Sequence, residues 1–186
     1  MAKLYFRYGV VSSAKTLNLL ATLHNYETQG KRAILIKPSV DTRSVDVSSR
    51  AGLSHKADII LRPEDNLSIE LYPFLLSDKI SAVLVDEVQF LTEEQILYLR
   101  KLSAFNDIPI LCYGLRTKSD ATLWKPIITL MALADIIEEI KTTCAYCDRK
   151  AVFSKAIIKN MESASGVNLT WDGYEPVCPY HYYLGS

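Results

Sequence analysis

Gly9-Val10-Val11-Ser12-Ser13-Ala14-Lys15-Thr16 lies between an aromatic, strand-like run (Leu4, Tyr5, Phe6, Tyr8) and a run with helical spacing (Leu17, Leu20, Leu23). A strand, a glycine-started loop and a helix form the setting in which a phosphate-binding loop operates. The segment matches G-x-x-x-x-G-K-[S/T] except that Ala14 stands at the second glycine. Each part has a physical task. Gly9 lets the chain leave the strand sharply, and the N–H groups of Val10, Val11, Ser12, Ser13 and Ala14 offer donors to an anion at a helix N-terminus. Lys15 adds a point charge, and Thr16 offers a hydroxyl to Mg²⁺. Ala14 has two readings. If its position needs positive φ or the closest backbone approach, the methyl group costs about 1 kcal/mol or more; if it is helical, alanine favours the helix that follows.

Working outward, residues 15–29 read as a helix with apolar positions Leu17, Leu20, Ala21 and Leu23, stopped by Gly30. Residues 32–37 are then a short buried strand, completing a βαβ unit and predicting a parallel sheet. Residues 38–55 turn polar and read as a long loop, in which Asp41 and Arg43 follow a sheet strand closely enough to meet a phosphate or metal. A strand over 57–61 and a helix over 67–76, disturbed by Pro73, come next.

The run Ile80-Ser81-Ala82-Val83-Leu84-Val85-Asp86-Glu87 is a buried parallel strand that delivers two acids to the C-terminal edge of a sheet, where ligands bind. After a phosphate loop, Asp86 suits the magnesium shell and Glu87 is left for other chemistry. Thr92 to Gln95 is a capping box for the next helix, residues 109–114 a buried strand with Cys112 inert inside it, 115–124 a loop and 127–140 a helix.

Composition narrows the function further. In 186 residues, 21 basic side chains balance 21 acidic ones, which argues against nucleic acid or an anionic membrane as partner and for a small ligand. No apolar run approaches the roughly 20 residues of a membrane span, and the expectation is a cytoplasmic protein. Cys144-x-x-Cys147 and Cys178-x-x-His181, thirty residues apart, supply three thiolates and an imidazole, a closed set for structural Zn²⁺. The expected division is a nucleotide-binding α/β unit over 1–140 and a zinc-binding unit over 141–186, whose interval 151–177 forms a tethered lid.

In order along the chain stand the phosphate loop, Asp41-Thr42-Arg43, Ser49-Arg50-Ala51-Gly52-Leu53-Ser54, Asp86-Glu87-Val88-Gln89-Phe90, Cys112-Tyr113-Gly114-Leu115-Arg116-Thr117 and the Cys/His pairs. This combination resembles the bacterial branch of the zinc-containing type II thymidine kinases, nearly end to end. The resemblance implies ATP- and Mg²⁺-dependent phosphorylation of the 5′-hydroxyl of thymidine or deoxyuridine by a P-loop fold, in a homotetramer. It implies Glu87 as general base and places Asp41, Arg43, Asp86 and Gln89 with the phosphate loop in ATP binding. Phe90 would stack on the base, Leu115 and Tyr174 would line the nucleoside pocket, and the zinc-tied segment would be a lasso closing on the base. Three departures accompany it: Ala14, Lys118-Ser119-Asp120-Ala121, and Thr170-Trp171-Asp172-Gly173 at the lasso tip. They motivate the competing reading, a relative that binds nucleotide without transferring phosphate.

Overall fold

Residues 1–40, 46–77, 79–157 and 173–184 are described by the computed structural model. Alternation along three short strands creates the two faces of its sheet. In β2 (Arg32–Pro38) Ala33 and Leu35 face one side and Ile34 and Ile36 the other. The same parity separates Ala82 and Leu84 from Val83 and Val85 in β6 (Ile80–Val85), and Leu111 and Tyr113 from Ile110 and Cys112 in β7 (Ile110–Gly114). Both faces are apolar, so both must be covered by helices, as a parallel sheet requires. With β1 (Leu4–Tyr8), β5 (Ile59–Leu61) and β8 (Ile136–Glu139) these strands form a six-stranded sheet in the order β5-β2-β6-β7-β1-β8, every pair parallel. The expected α/β class is the one found.

Helix α1 (Lys15–Thr28) covers one face through Leu19, Leu20 and Leu23. The expected stripe is rotated: Leu17 is only half-buried and Ala21 exposed, whereas Lys15, Leu19 and Leu23, each four residues apart, share the inward side. The lysine of the loop therefore lies on the core-facing stripe. Helices α2 (Leu67–Ser77), α3 (Glu93–Asn106) and α4 (Lys125–Leu133) cover the other face. The capping box is present at the start of α3: Gln95 N–H donates to Thr92 Oγ1 at 3.2 Å and Thr92 N–H to Gln95 Oε1 at 2.9 Å.

Three sequence expectations are corrected. The polar stretch 38–55 is not a plain loop, because its described part pairs β3 (Asp46–Ser48) with β4 (Ser54–Lys56), and Val47 is buried beside α1. One apolar residue in a three-residue strand leaves almost no period to detect. Helix α2 runs on through Pro73, which withholds a donor from the carbonyl of Ile69; Ile69 is exposed, so solvent can serve that carbonyl. Finally, 127–140 is a helix only to Leu133. Asp135 N–H donates to Leu4 O (2.9 Å) and Leu4 N–H to Asp135 Oδ2 (2.8 Å), docking the next residues as edge strand β8 beside β1. Ile136 and Ile137 continued the helical spacing of Ile127 and Leu130, and long-range pairing overrode it.

Past the sheet, β9 (Thr143–Cys144) pairs with β10 (Cys147–Lys150), and β11 (Phe153–Ala156) with β12 (Tyr174–Val177), both antiparallel; α5 (Pro179–Tyr183) follows. Cys144, Val177 and Cys178 form a separate small core, and Phe153 stacks on Tyr182 with ring centres 4.3 Å apart.

Candidate active site

The loop after β1 opens at the C-terminal edge of the sheet. Gly9 is needed there for room: a Cβ on it would lie 2.2 Å from Ser13 Oγ and 2.6 Å from the Ile140 carbonyl. Ala14, the N-cap of α1, has φ 63° and ψ 28°. The first reading of that residue holds, since it occupies the left-handed region where alanine is strained. Ala14→Gly is expected to stabilise the fold by about 1 kcal/mol in denaturant titrations.

Lys15 is buried, and its ammonium donates to Val10 O at 2.8 Å. Desolvation pushes its pKa down, opposed by the nearby Glu87 and Asp86 carboxylates. A cleft of about 380 Å³ is lined by the loop from Val11 to Thr16, by the hairpin turn around Arg50, and by Asp86 and Glu87. Arg50 reaches across it and donates to Ser12 Oγ at 2.8 Å.

Thr16 Oγ1 donates to Asp86 Oδ2 at 3.2 Å. Two cis oxygens around an octahedral Mg²⁺ with bonds of 2.1 Å stand about 3.0 Å apart, so this pair suits such an ion. Burial raises the Asp86 carboxyl to about 7, Glu87 adds to the rise, and Lys15 opposes it. The folded-state value exceeds the ordinary 3.8, so the folded chain holds this proton to higher pH than the unfolded chain. The stability it contributes is complete below about pH 4 and is lost as pH rises to about 7. Without added cation, melting temperature in wild type relative to Asp86→Asn should decline across that window; a flat difference would refute the assignment.

Glu87 follows directly, itself in the left-handed region at φ 47°. A one-turn 3-10 helix, Val88–Phe90, comes next. Gln89, grouped from sequence with the phosphate binders, lies buried behind the cleft: its Nε2 donates to Glu87 Oε2 at 2.6 Å and its Oε1 accepts from Leu115 N–H at 3.0 Å. Phe90 is half-buried, edge-on to Trp124 with centres 5.4 Å apart. Leu115 is buried and Tyr174 half-buried on β12. Asp41 and Arg43 fall outside the described residues, as do residues 158–172 of the expected lasso.

Sequence reasoning did not single out Ser154. It lies on β11, and its buried hydroxyl accepts the N–H of Val11 at 3.1 Å, joining the C-terminal hairpin to the loop between β1 and α1. No local pattern announces a contact across 143 residues.

The four predicted metal ligands converge. Cys144 Sγ and Cys178 Sγ lie 3.4 and 3.3 Å from His181 Nδ1, Cys147 Sγ lies 3.6 Å from it, and the Cys147 and Cys178 sulfurs are 3.8 Å apart. Tetrahedral Zn²⁺ with Zn–S about 2.3 Å and Zn–N about 2.0 to 2.1 Å requires S···S near 3.8 Å and S···N near 3.5 Å. The cage fits zinc, with Nδ1 as the imidazole ligand, and Tyr146 N–H donates to Cys144 Sγ from outside it.

The family model for thymidine kinase matches residues 2–182, from β1 through the zinc cage. The chain belongs to the thymidine kinase family. Three curated relatives agree along nearly their whole length. It is 38% identical to a thymidine kinase of Streptococcus gordonii over 98% of this chain and 97% of that one. It is 37% identical to one of Lactobacillus acidophilus over 98% and 97%, and 36% identical to one of Lactococcus lactis over 98% of each. Those family members are bacterial, the branch that the sequence resembles.

Proposed function

We propose that this chain is an ATP-dependent thymidine kinase, transferring the γ-phosphoryl group of ATP to the 5′-hydroxyl of thymidine or deoxyuridine. The observation that carries this reading is the meeting of Lys15, Thr16, Asp86 and Glu87 at one cleft on the carboxyl edge of the sheet. The loop from Gly9 to Thr16 binds the phosphates through backbone N–H groups, and Lys15 turns from the Val10 carbonyl toward the transferring group. Thr16 and Asp86 would hold Mg²⁺, which would supply neutralising charge at the phosphates. Glu87 accepts the 5′-hydroxyl proton while that oxygen bonds to the γ-phosphorus and ADP departs with the bridging oxygen and its electron pair. Phe90, Leu115 and Tyr174 hold the nucleoside, Asp41 and Arg43 assist at the phosphates, and the zinc-tied segment covers the base.

The test is a nucleoside panel with Mg-ATP, scored for monophosphate. Thymidine and deoxyuridine should yield product and purine nucleosides should not; a folded, zinc-loaded sample that binds nucleoside but makes none would leave nucleotide binding without transfer. The chain divides in this reading into a nucleotide-binding unit, 1–140, and a zinc-binding lasso unit, 141–186. It works as a homotetramer, checked by light scattering. No described helix is long and apolar enough to cross a membrane, and the need for ATP, Mg²⁺ and reduced thiols supports a cytoplasmic reaction.

A further inference from the structure

The structure assigns to Gln89 the role of a positioning residue for phosphoryl transfer: its amide is a buried strut that fixes the Glu87 carboxylate against the Leu115 wall of the nucleoside pocket. The inference rests on the reading of Glu87 as the base. The direction of the amide is determined by its partners. Leu115 N–H can only donate, so the atom 3.0 Å from it is the amide oxygen; the NH₂ group then faces Glu87 Oε2 at 2.6 Å, where the carboxylate accepts. Both ends are satisfied in a side chain that is 1% exposed.

The neighbouring backbone is shaped around this amide. Gly114 has no positive φ to explain it, yet a Cβ there would lie 2.4 Å from Gln89 Oε1 and 2.9 Å from Val88 Cγ1. Its missing side chain is the space the strut occupies. Gln89 is also braced along the chain, since Phe90 N–H donates to Glu87 O and Leu91 N–H to Val88 O, both within one turn. Phe90, on that same turn, rests on Trp124.

The consequence concerns register. Oε2 of Glu87 is committed to Gln89, which leaves Oε1 as the oxygen that meets the substrate hydroxyl. A nucleoside lying on Leu115 is placed, through the length of one amide, at a set distance from that oxygen. Misplacement by about an ångström is worth about a hundredfold in rate, so the strut controls turnover more than binding.

Gln89→Met keeps length and volume but bonds to neither partner, while Gln89→Glu keeps an acceptor for Leu115 and removes the donor to Glu87. Both should lower kcat by about 10- to 100-fold, with KM for thymidine and for ATP within about threefold of wild type. Introduced into Glu87→Gln, Gln89→Met should have no further effect, because the strut would have no base left to aim. Wild-type kcat in the single variants would overturn the inference, as would a raised KM for ATP with kcat retained, which would return Gln89 to phosphate binding. Loss of kcat in proportion to the folded fraction would mark a merely structural role. If Gln89→Met does not fold, Gly114→Ala displaces the amide from its other side and carries the same expectation. A failed premise reads differently: Glu87→Gln would then retain its rate whatever Gln89 does.

Discussion

Glu87→Gln is expected to lower kcat for thymidine phosphorylation by about 10²- to 10⁴-fold, the usual contribution of a general base. The substitution preserves shape, and its amide oxygen can still accept from Gln89 Nε2, so the turn after β6 keeps its hydrogen bond. KM for thymidine and melting temperature should therefore hold. Steady-state rates at saturating Mg-ATP decide it. Retention of more than about a tenth of the wild-type rate would mean that positioning and charge stabilisation suffice without a base.

The second large effect is expected at the metal cage. Cys178→Ser removes a ligand from the centre of the small C-terminal core, where Val177 and Cys178 are fully buried. A structural zinc site and its local fold form together, with apparent binding energies of about 10 to 16 kcal/mol in isolated zinc peptides. Metal analysis should show zinc lost from the variant, and limited proteolysis should cut after β8 while the sheet stays intact. KM for thymidine should rise at least about tenfold, since β12 carries Tyr174, the residue proposed to line the nucleoside pocket, whereas ATP binding falls less. A strong chelator should reproduce this in wild type, and added zinc should reverse it there only. Unchanged proteolysis and KM after zinc removal would show that the hairpins stand without the metal.

What could be read beforehand divides along physical lines. The glycine-started loop between β1 and α1, the acidic strand end and the cysteine pairs were legible because each concentrates its chemistry in a few neighbouring residues. The sheet was legible where burial on both faces leaves an unbroken apolar run, as in β2 and β6. Edge strand β8 was not, because Ile136 and Ile137 pair with β1 only through contacts that local spacing does not encode. The backbone angle of Ala14 and the direction of Gln89 were hidden for another reason. Residue type limits what a position can do, and only the surroundings choose among the possibilities.

Strand β1 sits between β7 and β8, the last two strands of the sheet to appear in the chain. The Arg7 side chain bonds to Tyr113 Oη across 106 residues, and Leu4 N–H to Asp135 across 131. At a translation rate of about 5 to 20 residues per second, β1 therefore waits about 5 to 20 s on the ribosome for its first partner. The glycine-started loop that follows β1 is among the earliest segments synthesised and among the latest to gain a folded setting. Until β7 emerges, β1 has no neighbouring strand to pair with, and rare codons placed before β7 should lower the yield of active enzyme more than the same pause placed after β8.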